Sequence, residues 1–76
     1  MRYRGLFYYE GVFSHTGTGL EDFTTTLTAE PKQIQVYDED GVLVLTSPSY
    51  SVSSGIYHVQ VASGVAIPNM TIRVTY

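Results

Sequence analysis

The feature that most constrains this chain is a period of two in its apolar residues. In GIYHVQVAS, Tyr57, Val59 and Val61 fall on one side, with His58 and Gln60 on the other. In IPNMTIRVTY, Met70, Ile72 and Val74 alternate with Asn69, Thr71, Arg73 and Thr75. The same pattern recurs where Ile34 and Val36 alternate with Gln33, Gln35 and Tyr37, and where Phe23, Thr25 and Leu27 alternate with Asp22, Thr24, Thr26 and Thr28. Such spacing puts one set of side chains on each face of a pleated strand and smears them around a helix. Threonine-rich stretches add β-branching, which stiffens χ1 and suits a pleated surface. No run carries a 3.6-residue period.

The punctuation agrees. Asp40-Gly41 supplies the small, φ-tolerant residues of a hairpin reversal between QIQVYD and VLVLT. Val42–Leu45 is short, apolar and Val-rich. It is expected to form a strand buried on both faces, or on one face and a partner. Pro31 removes a ladder donor and restrains Glu30, so the ladder breaks there. The Ser-rich stretch 47–54 reads as a link carrying a short edge strand around Tyr50 and Val52, with Pro48 guarding the edge. Gly55 suits the corner into the next strand, and Pro68 sits at the start of the last one. Ser14–Gly19 reads as a loop. Ahead of it, Arg2–Phe13 reads as a first strand with Tyr3, Phe7, Tyr9 and Phe13 on one face and Leu6, Tyr8 and Val12 on the other. Turn signals roughly every ten residues predict an all-β fold. The expected architecture is a single domain over residues 1–76, a small antiparallel β-sandwich of six or seven strands, with a small β-barrel as the alternative.

The run Ser54–Val61, SGIYHVQV, resembles the Gly-x-Tyr-x-Val-x-Val strand of immunoglobulin-like and fibronectin-like sandwiches. Tyr57 occupies the place of the corner tyrosine in their penultimate strand. VYDEDGVLVL is similar to the Asp-Gly hairpin of bacterial and phage immunoglobulin-like modules. The resemblance covers residues 33–63, and the cysteines and core tryptophan of antibody domains are missing. It implies an immunoglobulin-like architecture and brings no catalytic or binding residue with it.

Composition narrows function mostly by exclusion. The four bases Arg2, Arg4, Lys32 and Arg73 are too few and too scattered to track phosphates, which argues against nucleic acid. No apolar run approaches a membrane span, and the N-terminus lacks a signal peptide's apolar core. The Met1 start therefore predicts a small protein made in the cytoplasm. With no cysteine there is no disulfide and no thiolate metal site. A 76-residue core without such a staple gains from self-association or docking on a larger assembly.

Catalysis is not expected. The serines, threonines, two histidines and few carboxylates show no spacing that ties nucleophile, base and orienter together. Nor does SHTGTG resemble a phosphate loop, since no Lys follows it. His15 reads as an exposed loop histidine rather than a metal ligand. The acidic cluster Asp38, Glu39 and Asp40 lacks the further oxygens of a Ca²⁺ loop and reads as a polar hairpin tip, not as an ion site. The outward threonines read as a solvated strand face.

No cofactor is expected. Tyrosine is favoured at protein interfaces, so Tyr3, Leu6, Tyr8, Tyr9, Val12 and Tyr50 are the candidate interface residues. The expected partners are the chain itself or other structural protein subunits. Together with the resemblance, this points to a small virion component of a tailed bacteriophage: a capsid decoration, head-fibre or tail-associated protein. The alternative is a carbohydrate- or surface-binding module in which Tyr8, Tyr37 or Tyr50 stacks on sugar rings.

Overall fold

The computed structural model describes residues 7–76. Among these the fold is all-β. Six strands, β1 (Tyr8–His15), β2 (Gly19–Thr24), β3 (Gln33–Tyr37), β4 (Ser49–Ser53), β5 (Ile56–Ser63) and β6 (Ile67–Thr75), make two three-stranded antiparallel sheets. Their orders are β1-β6-β3 and β2-β5-β4. The sheets stack as an open sandwich, not a closed barrel. The two last strands in the chain are thus the central strand of each sheet, which is why their inward residues are the most deeply buried. Val59 and Val61 of β5, and Met70, Ile72 and Val74 of β6, have no exposed surface. With Phe23, Leu27, Val36 and Ile67 they form one cluster drawn from both sheets.

The alternation read from the sequence holds, with local departures that have visible causes. In β6 the inward positions step from Ile67 to Met70 because the register against β1 slips between Phe13 and His15, with Asn69 at φ +52°. A bulge of this kind inserts one residue and keeps both flanking side chains facing the core. The β2 ladder ends at Thr24, yet Phe23, Thr25 and Leu27 remain buried. Thr25 holds the irregular continuation together: its hydroxyl donates to Tyr57 C=O and accepts from Leu27 N–H. Ser54 and Gly55, both at positive φ, form the two-residue turn joining β4 to β5.

The Asp-Gly turn forms as expected. Asp38 Oδ1 accepts the N–H groups of Asp40 and Val42, Gly41 N–H donates to Asp38 C=O, and Gly41 sits at φ +81°. The stretch beyond the turn, Val42–Leu45, is not the buried strand its composition suggests. Leu43 bridges Tyr37 and Val44 N–H donates to Val36 C=O, but there the pairing stops. The chain then leaves β3 to reach β4 in the other sheet. No further strand lies beyond it among the described residues, so only Val44 packs on the core, and Leu45 is 91% exposed.

The β1–β2 connection is held by a close backbone approach. Gly17 sits at φ +85°, and a Cβ there would lie 2.5 Å from the main chain of Val65 and Ala66. Neither contact is a flexible side-chain end. Gly17→Ala is therefore expected to cost about 2–4 kcal/mol, above the penalty of a positive φ alone. In a domain of this size that lowers Tm by roughly 10 °C or more. Calorimetry checks it, and an unchanged Tm would contradict the packing.

Candidate functional site

Strand pairing arranges the outer face of the β1-β6-β3 sheet in three rows. Tyr8, Thr75 and Gln33 form one; Glu10, Arg73 and Gln35 the next; Val12, Thr71 and Tyr37 the third. Their neighbours in sequence, Tyr9, Phe13, Ile72, Val74, Ile34 and Val36, pack inward, and the pleat turns this set out. Arg73 stands at the centre. Its Nε–H donates to Glu10 Oε2 at 2.6 Å, and its guanidinium carbon lies 5.2 Å from the Tyr8 ring centroid and 5.5 Å from that of Tyr37. The hydrogen bond to Glu10 raises the Arg73 pKa above its ordinary value. Held by one carboxylate and two rings, the guanidinium is fixed in place, and its two Nη groups make no hydrogen bond among the described residues. Glu10, Tyr37, Gly41, Thr71 and Arg73 line a shallow, open depression of 350 Å³ beside it.

The outer face of the other sheet differs in kind. Asp22 accepts from Gln60 and meets His58 Nδ1 at 3.0 Å, while Gln60 also donates to Ser51. Thr24 Oγ1 lies 3.2 Å from that same Nδ1. These polar groups satisfy one another across the strands. Thr24, His58 and Asp22 are residue types of a nucleophile, base and orienter, but a relay needs the nucleophile and the acid on opposite ring nitrogens. Here both meet Nδ1, so the three are not wired as one.

The candidate interface residues separate accordingly. Tyr8 and Val12, 60% and 66% exposed, lie on the outer face of the first sheet. Tyr9 packs on the core and is not part of that surface. Tyr50 lies on the edge strand of the other sheet, where its hydroxyl donates to Glu30 Oε2 at 2.7 Å and its ring sits 5.7 Å from Tyr57. The bond to Glu30 raises the Tyr50 pKa above its usual value. Tyr3 and Leu6 lie outside the described residues. Of the three tyrosines proposed for sugar stacking, Tyr8 and Tyr37 share a face and Tyr50 does not. In the sequence Arg73 shows only as alternating with the apolar residues of its strand, and Glu10 carries no signal at all. Only the register brings them together.

His15 overturns its reading as an exposed loop residue. β1 runs two residues past Phe13, and His15 is 2% exposed. Its Nε2 lies 2.7 Å from Val61 C=O, and Gly17 N–H donates to its Nδ1 at 2.9 Å. A carbonyl can only accept and an amide N–H can only donate, so these bonds assign the neutral tautomer with the proton on Nε2. Phe23 packs on the ring. Nearby, Glu21 accepts from Thr16 N–H and from the hydroxyls of Thr16 and Thr18; the Thr16 hydroxyl bond most of all lowers its pKa. His15 is thus a structural pin between the sheets. Asp38 is likewise engaged by the turn, and among the described residues no three His, Cys, Asp or Glu side chains gather as metal ligands.

No family model, curated protein or solved structure matches the chain. Fold and surface define a small all-β protein of two stacked sheets. One outer face closes on itself through side-chain hydrogen bonds, and the other presents a pre-positioned Arg between two tyrosines.

Proposed function

We propose that this chain is a non-catalytic structural or interaction protein that docks onto protein subunits through the outer face of its β1-β6-β3 sheet. The observation that carries the reading is the convergence of Tyr8 and Tyr37, from the two edge strands, on Arg73 in the central one. Tyr and Arg are enriched among the residues that dominate interface energetics: Tyr offers large contact area at low entropy cost, and Arg a planar charged fork whose ordering is costly. Here the ordering of the Arg side chain has already taken place in the free protein. The surface is broad and open, which suits a partner's surface better than a substrate that must be shielded from water. The finer reading, a virion component with an immunoglobulin-like sandwich, draws its support from the SGIYHVQV resemblance and from a small core that gains from assembly.

A photo-cross-linking side chain at Val12, on the proposed face, and at Ser51, on the opposite one, tests this. Protein adducts are expected from Val12, reduced at least about tenfold by Tyr8→Ala/Tyr37→Ala, and not from Ser51. Equal adducts from both positions would overturn the assignment. Glycan-array binding that is lost in Tyr37→Ala, with no protein adduct from Val12, would establish the sugar-binding alternative instead.

A further inference from the structure

We infer that the partner of this face is a second copy of the chain, each copy setting its acidic hairpin tip, Glu39-Asp40, against Arg73 of the other. This rests on the reading of the β1-β6-β3 face as a docking surface and names what docks there.

Charge complementarity is the first argument. Glu10 takes the Nε side of the Arg73 guanidinium, which leaves its Nη1/Nη2 edge without a partner among the described residues. That edge is a planar fork matched to a carboxylate. Two carboxylates are presented nearby on a braced support. Asp38 uses its Oδ1 to hold the tip, whereas the side chains of Glu39 and Asp40 make no hydrogen bond or ion pair among the described residues. Both are exposed.

The surroundings match as well. Arg73 is flanked by exposed apolar surface from Tyr8 and Val12, and the tip is followed by exposed Val42 and Leu43. A charge set in an apolar surround, meeting its opposite in a similar surround, loses the water that would otherwise screen it. Placement supplies the last argument. Gly41, in the tip, and Arg73 line the same depression, so tip and receptor adjoin on each molecule. The tip nonetheless leaves its own Arg73 to Glu10. With plug and socket side by side, a twofold axis satisfies both contacts at once and closes the assembly as a dimer.

Sedimentation velocity from low to high micromolar concentration tests the inference, with thermal unfolding confirming that each variant folds. The wild type is expected to pass from monomer to dimer across that range. Arg73→Gln and Glu39→Lys/Asp40→Lys are each expected to weaken association at least about fivefold. The second variant is the decisive one. Replacing two acids by lysines moves the net charge from −3 to +1 (−3 + 4), which lowers the charge repulsion between copies. Overall charge alone therefore predicts tighter association, and only a specific contact predicts weaker. Ser53→Lys, on the edge strand of the other sheet, is expected to change little. A dimer that survives Glu39→Lys/Asp40→Lys but is lost in Tyr8→Ala/Tyr37→Ala would overturn the tip contact and leave the docking face standing. A wild type that stays monomeric throughout would overturn self-docking, while Val12 adducts to a different protein would still support the face.

Discussion

Ile72→Ala is expected to remove about 2–5 kcal/mol of folding stability, read as a shift of the urea midpoint at constant slope. Ile72 has no exposed surface and sits at the middle of β6, paired with Gly11 of β1 on one side and Val36 of β3 on the other. Neighbours on both sides are held by ladder hydrogen bonds, so the cavity left by the side chain cannot readily collapse. A chain of this length has roughly 4–11 kcal/mol to lose. One truncation thus consumes a large share of it. A loss under about 1 kcal/mol would mean that the two sheets do not close over this residue.

The second large effect is expected at His15. His15→Ala strands Gly17 N–H and removes the side-chain donor to Val61 C=O, and it empties the space beside Phe23. An unmatched buried polar group costs about 1–3 kcal/mol, and the lost packing adds to that. The expected total is about 2–4 kcal/mol, measured by the same urea titration. A surface histidine replaced by alanine shifts stability by about 0.5 kcal/mol or less. That gap makes the substitution a clean test of whether His15 pins the two sheets or merely decorates a loop.

The two residues also mark how far the chain could be read unaided. Ile72 was legible because local alternation, Met70-Thr71-Ile72-Arg73-Val74, is the signature of a half-buried strand, and a period needs no knowledge of the partner. Tyr57, Val59 and Val61, or Phe23, Thr25 and Leu27, were legible for the same reason. The turn at Asp40-Gly41 and the corner at Gly55 were legible because their φ requirements are met within a few residues, while the part of Ser54 in the second turn was not. His15 was not legible. It comes after a phenylalanine and a serine and precedes a Gly- and Thr-rich stretch, which is loop composition. Its burial depends on the β1–β6 bulge that keeps the strand going, and on Val61 from the opposite sheet.

Val42–Leu45 failed in the opposite direction. Its hydrophobicity suggested burial, but burial requires a neighbour, and the crossing to β4 removes the chain from β3 after Val44. The same limit applies to the proposed docking face. The pleat puts Arg73 and Tyr37 opposite the apolar residues of their strands, but the first strand is apolar or aromatic on both faces, so neither the outward side of Tyr8 and Glu10 nor the convergence on Arg73 could be read from it.

Composition and periodicity alone determined that this chain is all-β, where it turns, and which side of most strands meets the core, because steric preference and a period of two act over a few residues. Tertiary structure decided strand order, register and the partners of His15, Val42–Leu45 and Arg73. Those depend on which distant segments lie side by side, and the energy that selects one pairing over another exists only once both sheets have closed.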